Sequence, residues 1–338
     1  MQQMALAAMN AHSIPGLSMS IAHRGKIIYE EALGVANRNS GEKVMPSNLF
    51  RIASVSKPIT SAAVFTLIEL GKINLDDFVF GQNGVLRDDF AAPPYQPYVE
   101  QIKIKHLLTH TGGWSNESND PMFLNPRMNH QQLIKWTLNN IPLTIPPGQK
   151  YAYSNFGYCL LGRVIEKVSG RPYERFVEDT IFNRCGISDM QLGGNTLAER
   201  VPQEVVYYAQ GNENPYSMNV RRMDSHGGWL ATASDLVRFA VHIDCQSPAR
   251  NILKAATIRE MTTPTAAGPD YAKGWTVNKY NNWWHSGSLP GTSTVIVRTG
   301  TDFCWAALTN TREAGGDTAG AIDQMMWNVV RSVKNWQA

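Results

Sequence analysis

Ser54-Val55-Ser56-Lys57, at the mouth of the apolar run Ile59 through Leu70, decides how this chain is read. On an α-helix, a spacing of three stacks the hydroxyl and the amine on one face. The run that follows is apolar on nearly every face and is closed by Gly71, so it predicts a helix buried almost all round with a glycine stop signal. Ser54 then lies near a helix start, where free N–H groups and the positive dipole end favour developing negative charge. A desolvated Lys57 loses proton affinity and can act as a base toward Ser54, the pairing needed for serine-nucleophile acyl transfer. Pro58 lacks an N–H and belongs in a first turn, which leaves the start open by a residue or two.

Spacing alone does not decide, because Ser40-Gly41-Glu42-Lys43 repeats it in a polar stretch with no helix behind it. That copy reads as a solvated turn. The surrounding chain supplies the context. With 338 residues, 43% hydrophobic and 17% charged, it can bury a large core and suits one or two globular domains. A net charge of +3 without basic clusters argues against a nucleic-acid partner, and no apolar run approaches the roughly 20 residues of a spanning helix.

Met1 to Met9 has no basic region ahead of an apolar core, so it does not read as a signal peptide. The protein is expected to be cytoplasmic if Met1 is the native start, and secreted or periplasmic if processing precedes it. Cys159, Cys185, Cys245 and Cys304 are widely spaced without a C-x-x-C pattern, so buried free thiols are expected rather than a zinc site or a disulfide scaffold.

Residues 16 to 34 read as two strands, Leu17 to Ala22 and Lys26 to Glu31, joined by a tight turn through His23-Arg24-Gly25. Thr292 to Val297 and Phe303 to Leu308 repeat the hairpin signal around Gly300, and Ala319 to Val333 closes the chain as a helix. Between them, Gln131 to Leu138, Phe156 to Val168 and Pro172 to Phe182 have helical periodicity, separated by proline-rich links. The expected organisation is an α+β fold. A sheet domain, 1–75 with 220–338, is built from both ends of the chain; a helical domain, 76–219, is inserted; and a cleft lies between them.

Two further clusters carry chemistry. Tyr153-Ser154-Asn155 opens the helix bearing Phe156, Leu160, Leu161, Val164 and Ile165. Tyr153 could share a proton with Ser54 and Lys57, its pKa falling from roughly 10 beside a lysine cation, and Asn155 could orient the lysine or a substrate carbonyl. The plainer alternative is a helix cap plus a core tyrosine, and Tyr280-Asn281-Asn282 has the same pattern. In His285-Ser286-Gly287-Ser288, Gly287 would let a substrate approach the backbone, and the Ser288 N–H could join that of Ser54 as an oxyanion hole.

His110-Thr111-Gly112 and His226-Gly227-Gly228 share the histidine-x-glycine pattern and suit turn or cap roles. The second also suggests the oxyanion loop of α/β-hydrolase esterases, but no G-x-S-x-G elbow accompanies it. His106 and His110 are four apart without the glutamate of an H-E-x-x-H zinc site, so no metal is assigned.

Taken together, Ser54-x-x-Lys57, Tyr153-x-Asn155 and His285-x-Gly287, in this order, resemble the serine β-lactamase and penicillin-binding-protein-like superfamily. Within it, the group of class C β-lactamases, D-stereospecific peptidases and family VIII carboxylesterases is the most similar. Supporting stretches are Phe50 to Thr60, His106 to Gly113, Pro147 to Glu166 and Gly227 to Leu236. The resemblance implies a five-stranded antiparallel sheet flanked by helices, with Ser54 as nucleophile and Lys57 and Tyr153 as the proton-transfer pair. It further implies Asn155 in substrate binding and Ser54 and Ser288 as oxyanion donors.

His285 departs from the lysine usual in this motif and would be a weaker, pH-dependent cation. The expectation is a cofactor-free serine hydrolase forming an acyl-enzyme with a small-molecule or peptide acyl substrate: an ester, an amide or a D-amino-acid peptide. Alternatives are an acyltransferase or weak β-lactamase of the same fold, or a binding or regulatory homologue without turnover.

Overall fold

A computed structural model describes residues 1–117, 120–246, 250–333 and 336. Its main sheet is antiparallel throughout. In spatial order it runs Glu42–Lys43, Lys26–Asn37, Gly16–His23, Phe303–Thr309, Thr292–Arg298, Trp283–Leu289 and Thr276–Val277. The count is therefore seven strands instead of five. The difference is two edge strands of two residues each, too short to leave a period-2 signal. One of them, Glu42–Lys43, falls within the stretch read as a solvated turn, and it is exposed.

Alternation along the central strands assigns each side chain to a face. Met19, Ile21, Val295, Val297, Trp305 and Ala307 point to one side, where Ile322, Met326 and Val329 of the closing helix Thr318–Ser332 and Ala5 and Met9 of the first helix Gln2–Ala11 cover them. Ala22, Ile296, Cys304, Ala306 and Leu308 point to the other and enter a larger core with Ile59, Phe65, Leu236 and Phe239. Complete burial of one such aliphatic side chain stabilises by about 1.5–3 kcal/mol, so both faces are firmly held.

The helix Ser56–Glu69 is buried from Ser56 through Leu67, with Pro58 in its first turn. Helices at His130–Asn140 and Asn155–Ser169 match their periodicity. The stretch from Tyr173 is α-helical only to Val177 and continues to Phe182 as a π turn. Cys159, Cys185 and Cys304 are buried free thiols, whereas Cys245 is only half-buried. No helix among the described residues is long and apolar enough to cross a membrane.

Candidate active site

The turn bearing Ser54 is fixed by the strand beside it. Thr292 Oγ1 donates to the Arg51 carbonyl at 2.9 Å and Thr294 Oγ1 to the Ile52 carbonyl at 2.8 Å, while the Ile52 N–H donates to the Trp229 carbonyl at 3.0 Å. Held this way, Ala53 adopts a left-handed φ of 49°, and Ala53–Val55 forms a single 3₁₀ turn ahead of the helix. A Cβ on Gly287 would collide with the Ile52 carbonyl oxygen and Thr294 Oγ1. Gly287 thus makes room for the Ser54 turn itself.

Lys57 is fully buried, and its Nζ lies 3.0 Å from Ser54 Oγ, 2.7 Å from Asn155 Oδ1 and 3.0 Å from the His226 carbonyl oxygen. Burial pulls its proton affinity well below that of a free lysine, and the Asp120 carboxylate partly opposes the pull. Asn155 begins the helix Asn155–Ser169, capped by Ser154 Oγ accepting from the Gly157 N–H at 3.1 Å. The other end of its amide donates from Nδ2 to Asp120 Oδ2 at 2.7 Å, and its backbone N–H donates to Asn116 Oδ1 at 3.0 Å.

Tyr153 packs with its ring centroid 4.8 Å from Lys57 Nζ and 4.2 Å from the His110 ring. Its phenol is pushed far up, not down: burial dominates, and the hydrogen bond with Ser54 opposes it only in part. The expected fall required a charged lysine, and Lys57 is itself desolvated. Tyr153 is a neutral phenol at ordinary pH, and the amine of Lys57 is the stronger candidate base.

His285 is buried on the strand Trp283–Leu289. Its Nδ1 lies 2.7 Å from the Ser286 carbonyl, which can only accept, so Nδ1 carries the proton and Nε2 takes the hydroxyl proton of Tyr271 at 3.1 Å. Burial pushes its pKa down to about 3, with Lys57 adding to the effect and the Ser286 hydrogen bond opposing it. It is therefore neutral throughout the ordinary pH range, which corrects the expectation of a pH-dependent cation.

Ser54, Tyr153, Asn155, His285 and Ser288 open onto one cleft of about 670 Å³, and Ser54 itself is half-buried. The cleft also presents Asn116, Asp120, His226, Tyr271 and Arg312. Of these five, only His226 was weighed for chemistry, as part of an oxyanion loop, and it was set aside. His226 lends its backbone carbonyl, which no sequence pattern records, so the turn-or-cap reading of His226-Gly227-Gly228 understated its place. His110, likewise read as a turn residue, has a left-handed φ of 56° and is buried against Tyr153. Arg312 reaches Ser288 Oγ at 3.3 Å and pairs with Glu213, its Nε 2.8 Å from Oε2. Tyr280 is 69% exposed and does not line this cleft, leaving Tyr153 as the tyrosine beside Ser54.

This fold recurs in solved proteins. The octameric penicillin-binding protein homologue from Pyrococcus abyssi superposes with a TM-score of 0.79 at 22% identity, covering 98% of this chain and 76% of that one. D-amino acid amidase from Ochrobactrum anthropi SV3 superposes with a TM-score of 0.77 at 20% identity, covering 98% and 99%. Both define the β-lactamase and penicillin-binding-protein-like fold class. The chain belongs to the Beta-lactamase family, whose profile matches residues 1–325. It is 26% identical over 306 residues to penicillin-binding protein 4* of Bacillus subtilis (strain 168), covering 82% of this chain and 64% of that protein. It therefore spans less than two thirds of that relative's length.

Proposed function

We propose that this protein is a serine hydrolase that forms an acyl-enzyme on esters, amides or D-amino-acid peptides. One observation carries the reading: a buried lysine, depressed toward its neutral form, with Nζ 3.0 Å from the hydroxyl of a cleft serine. Ser54 passes its proton to Lys57 as Oγ attacks the substrate carbonyl, and the backbone N–H groups of Ser54 and Ser288 receive the oxyanion. Tyr153, held as a phenol, donates to the leaving group and is refilled from Lys57. Water then attacks the acyl-enzyme with the same pair acting in reverse. Similarity to an amidase and to penicillin-binding proteins supports an amide or peptide substrate.

In this reading the cleft separates the units 1–75 with 220–338 and 76–219. The first contributes Ser54, His226 and His285, and the second Asp120, Tyr153 and Asn155. With His285 neutral, a substrate carboxylate has no cation at that position, so short-chain p-nitrophenyl esters should be turned over with higher kcat/KM than nitrocefin. A panel of those esters, D-amino-acid amides and nitrocefin, run beside Ser54→Ala, tests the proposal. Turnover of at least one substrate that disappears in the variant is expected. Efficient nitrocefin hydrolysis would move the assignment to β-lactamase and make Arg312 the cation to examine.

A further inference from the structure

A neutral amine has two N–H donors and one lone pair, and a general base must point that lone pair at the proton it takes. Around Lys57 Nζ lie three partners: Asn155 Oδ1 at 2.7 Å, the His226 carbonyl at 3.0 Å and Ser54 Oγ at 3.0 Å. The first two are oxygens that can only accept, so they consume both N–H groups. What remains for the Ser54 O–H is the lone pair. The arrangement depends on which end of the Asn155 amide faces the lysine, since a flipped amide would present its NH₂ and compete for that lone pair. Asp120 excludes the flip: its carboxylate accepts from Asn155 Nδ2 at 2.7 Å and would repel the amide oxygen.

We propose that Asp120 is a positioning residue that aims the lone pair of Lys57 at Ser54 by fixing the orientation of the Asn155 amide. The inference rests on the serine-hydrolase reading for its role in turnover, but its geometry does not. Asp120 is also a helix cap, since its Oδ1 accepts from the Met122 N–H at 2.9 Å at the start of the short helix Pro121–Leu124. Its charge acts on Lys57 as well. Burial drives the amine toward a weak base, and Asp120 restores part of its proton affinity. Lys57 is also faced by the Tyr153 and Tyr158 rings, at 4.8 and 5.7 Å, and by His226, His110 and His285, all held neutral by burial. Burial raises the proton affinity of the Asp120 carboxylate, and the hydrogen bonds from Asn155 and the Met122 amide, with Lys57 and Arg222 nearby, oppose the rise and favour the ionised form.

The test follows the Lys57 Cε resonance of ¹³C-lysine-labelled full-length protein through a pH titration, alongside the pH dependence of fluorophosphonate labelling at Ser54. Asp120→Asn keeps the shape and, through its single amide oxygen, the cap, but it removes the charge and turns an NH₂ toward Asn155, so the Lys57 midpoint should fall by about one unit and plateau labelling should slow. The acid limb of labelling should move with it to lower pH, because the amine stays neutral further into acid. Asp120→Ser keeps a capping hydroxyl but is too short to hold Asn155, and should also slow labelling on the pH plateau by about 10-fold. Asp120→Glu, which keeps the charge, should restore the midpoint. Thermal unfolding verifies that each variant is folded, and Asp120→Ser supplies the charge removal if Asp120→Asn does not fold. A plateau rate unchanged in both folded variants would overturn the proposal whatever the midpoint does, because the midpoint reads the Asp120 charge and the plateau reads the aim of the lone pair. Because the resonance titrates without turnover, a wild-type protein that resists labelling would instead defeat the hydrolase reading while leaving the effect of the Asp120 charge on Lys57 decided by the NMR.

Discussion

Two stretches of this chain have the same serine-to-lysine spacing and share almost nothing else. Ser40 and Lys43 are exposed at the sheet edge, where Ser40 Oγ does no more than accept from the Glu42 N–H at 3.4 Å. Ser54 and Lys57 lie where a strand, a capped helix and the turn at His226 converge, so that the partners of the amine other than Ser54 belong to other parts of the fold. Spacing brings the two groups onto one face in both places. Burial lowers the proton affinity of Lys57, and its partners leave its lone pair facing Ser54; the exposed copy has neither feature.

The sharpest way to break the comparison is to remove each partner in both copies. Lys57→Ala should lower kcat/KM for an activated ester by about 10²- to 10⁴-fold, and Ser54→Ala at least as much, whereas Ser40→Ala and Lys43→Ala should leave it unchanged. Similar losses in both copies would show that burial is not the deciding factor. Tyr153→Phe, which removes one hydroxyl and keeps the ring, should slow turnover by about 10²-fold with little change in melting temperature. Tyr280→Phe should change neither. A Tyr153 variant that melts early and stays active would make this tyrosine a packing residue only.

Gly287→Ala probes how the Ser54 turn is seated. The added methyl has no free volume, so a loss of about 1–3 kcal/mol in stability is expected together with reduced Ser54 reactivity, measured by denaturant unfolding and labelling rate. Full stability and activity would show that the turn does not depend on this contact.

A further effect, on stability and not on turnover, is its pH dependence. His285 titrates near 3 when folded and near 6.5 when unfolded, so between these values the unfolded chain binds the extra proton. Its contribution is fully present above about pH 6.5 and is lost as pH falls toward 3. His106, lowered to about 4 chiefly by burial, acts in the same direction. Melting temperature should therefore decline on acidification from pH 7 to 4, and less steeply in His285→Gln. An equal slope would indicate that His285 is not held neutral.

Much of the architecture could be read from local pattern, because Leu17 to Ala22 alternates apolar and small polar residues and Thr292 to Val297 is a run rich in β-branched residues, each bounded by turn residues. The two-residue edge strands could not, since pairing alone defines them. At the site, Ser54 with Lys57 and Tyr153 with Asn155 are close in sequence and leave motifs. Asp120 leaves only the signal of a cap before Pro121, and the His226 carbonyl leaves none, although both bear directly on the state of Lys57. Electrostatics was misjudged at Tyr153 and His285 for one reason: burial outweighs neighbouring charge, and burial at single positions is set by the whole fold.

The central claim, that burial gives Ser54 its base and denies one to Ser40, is tested most directly by exposing the protein to a fluorophosphonate and mapping the adduct by peptide mass spectrometry. One phosphonyl group per chain on Ser54 is expected, none on Ser40, with labelling lost in Lys57→Ala and retained in Lys43→Ala. Labelling of Ser54 that proceeds equally well without Lys57, or an adduct on any other serine, would contradict it.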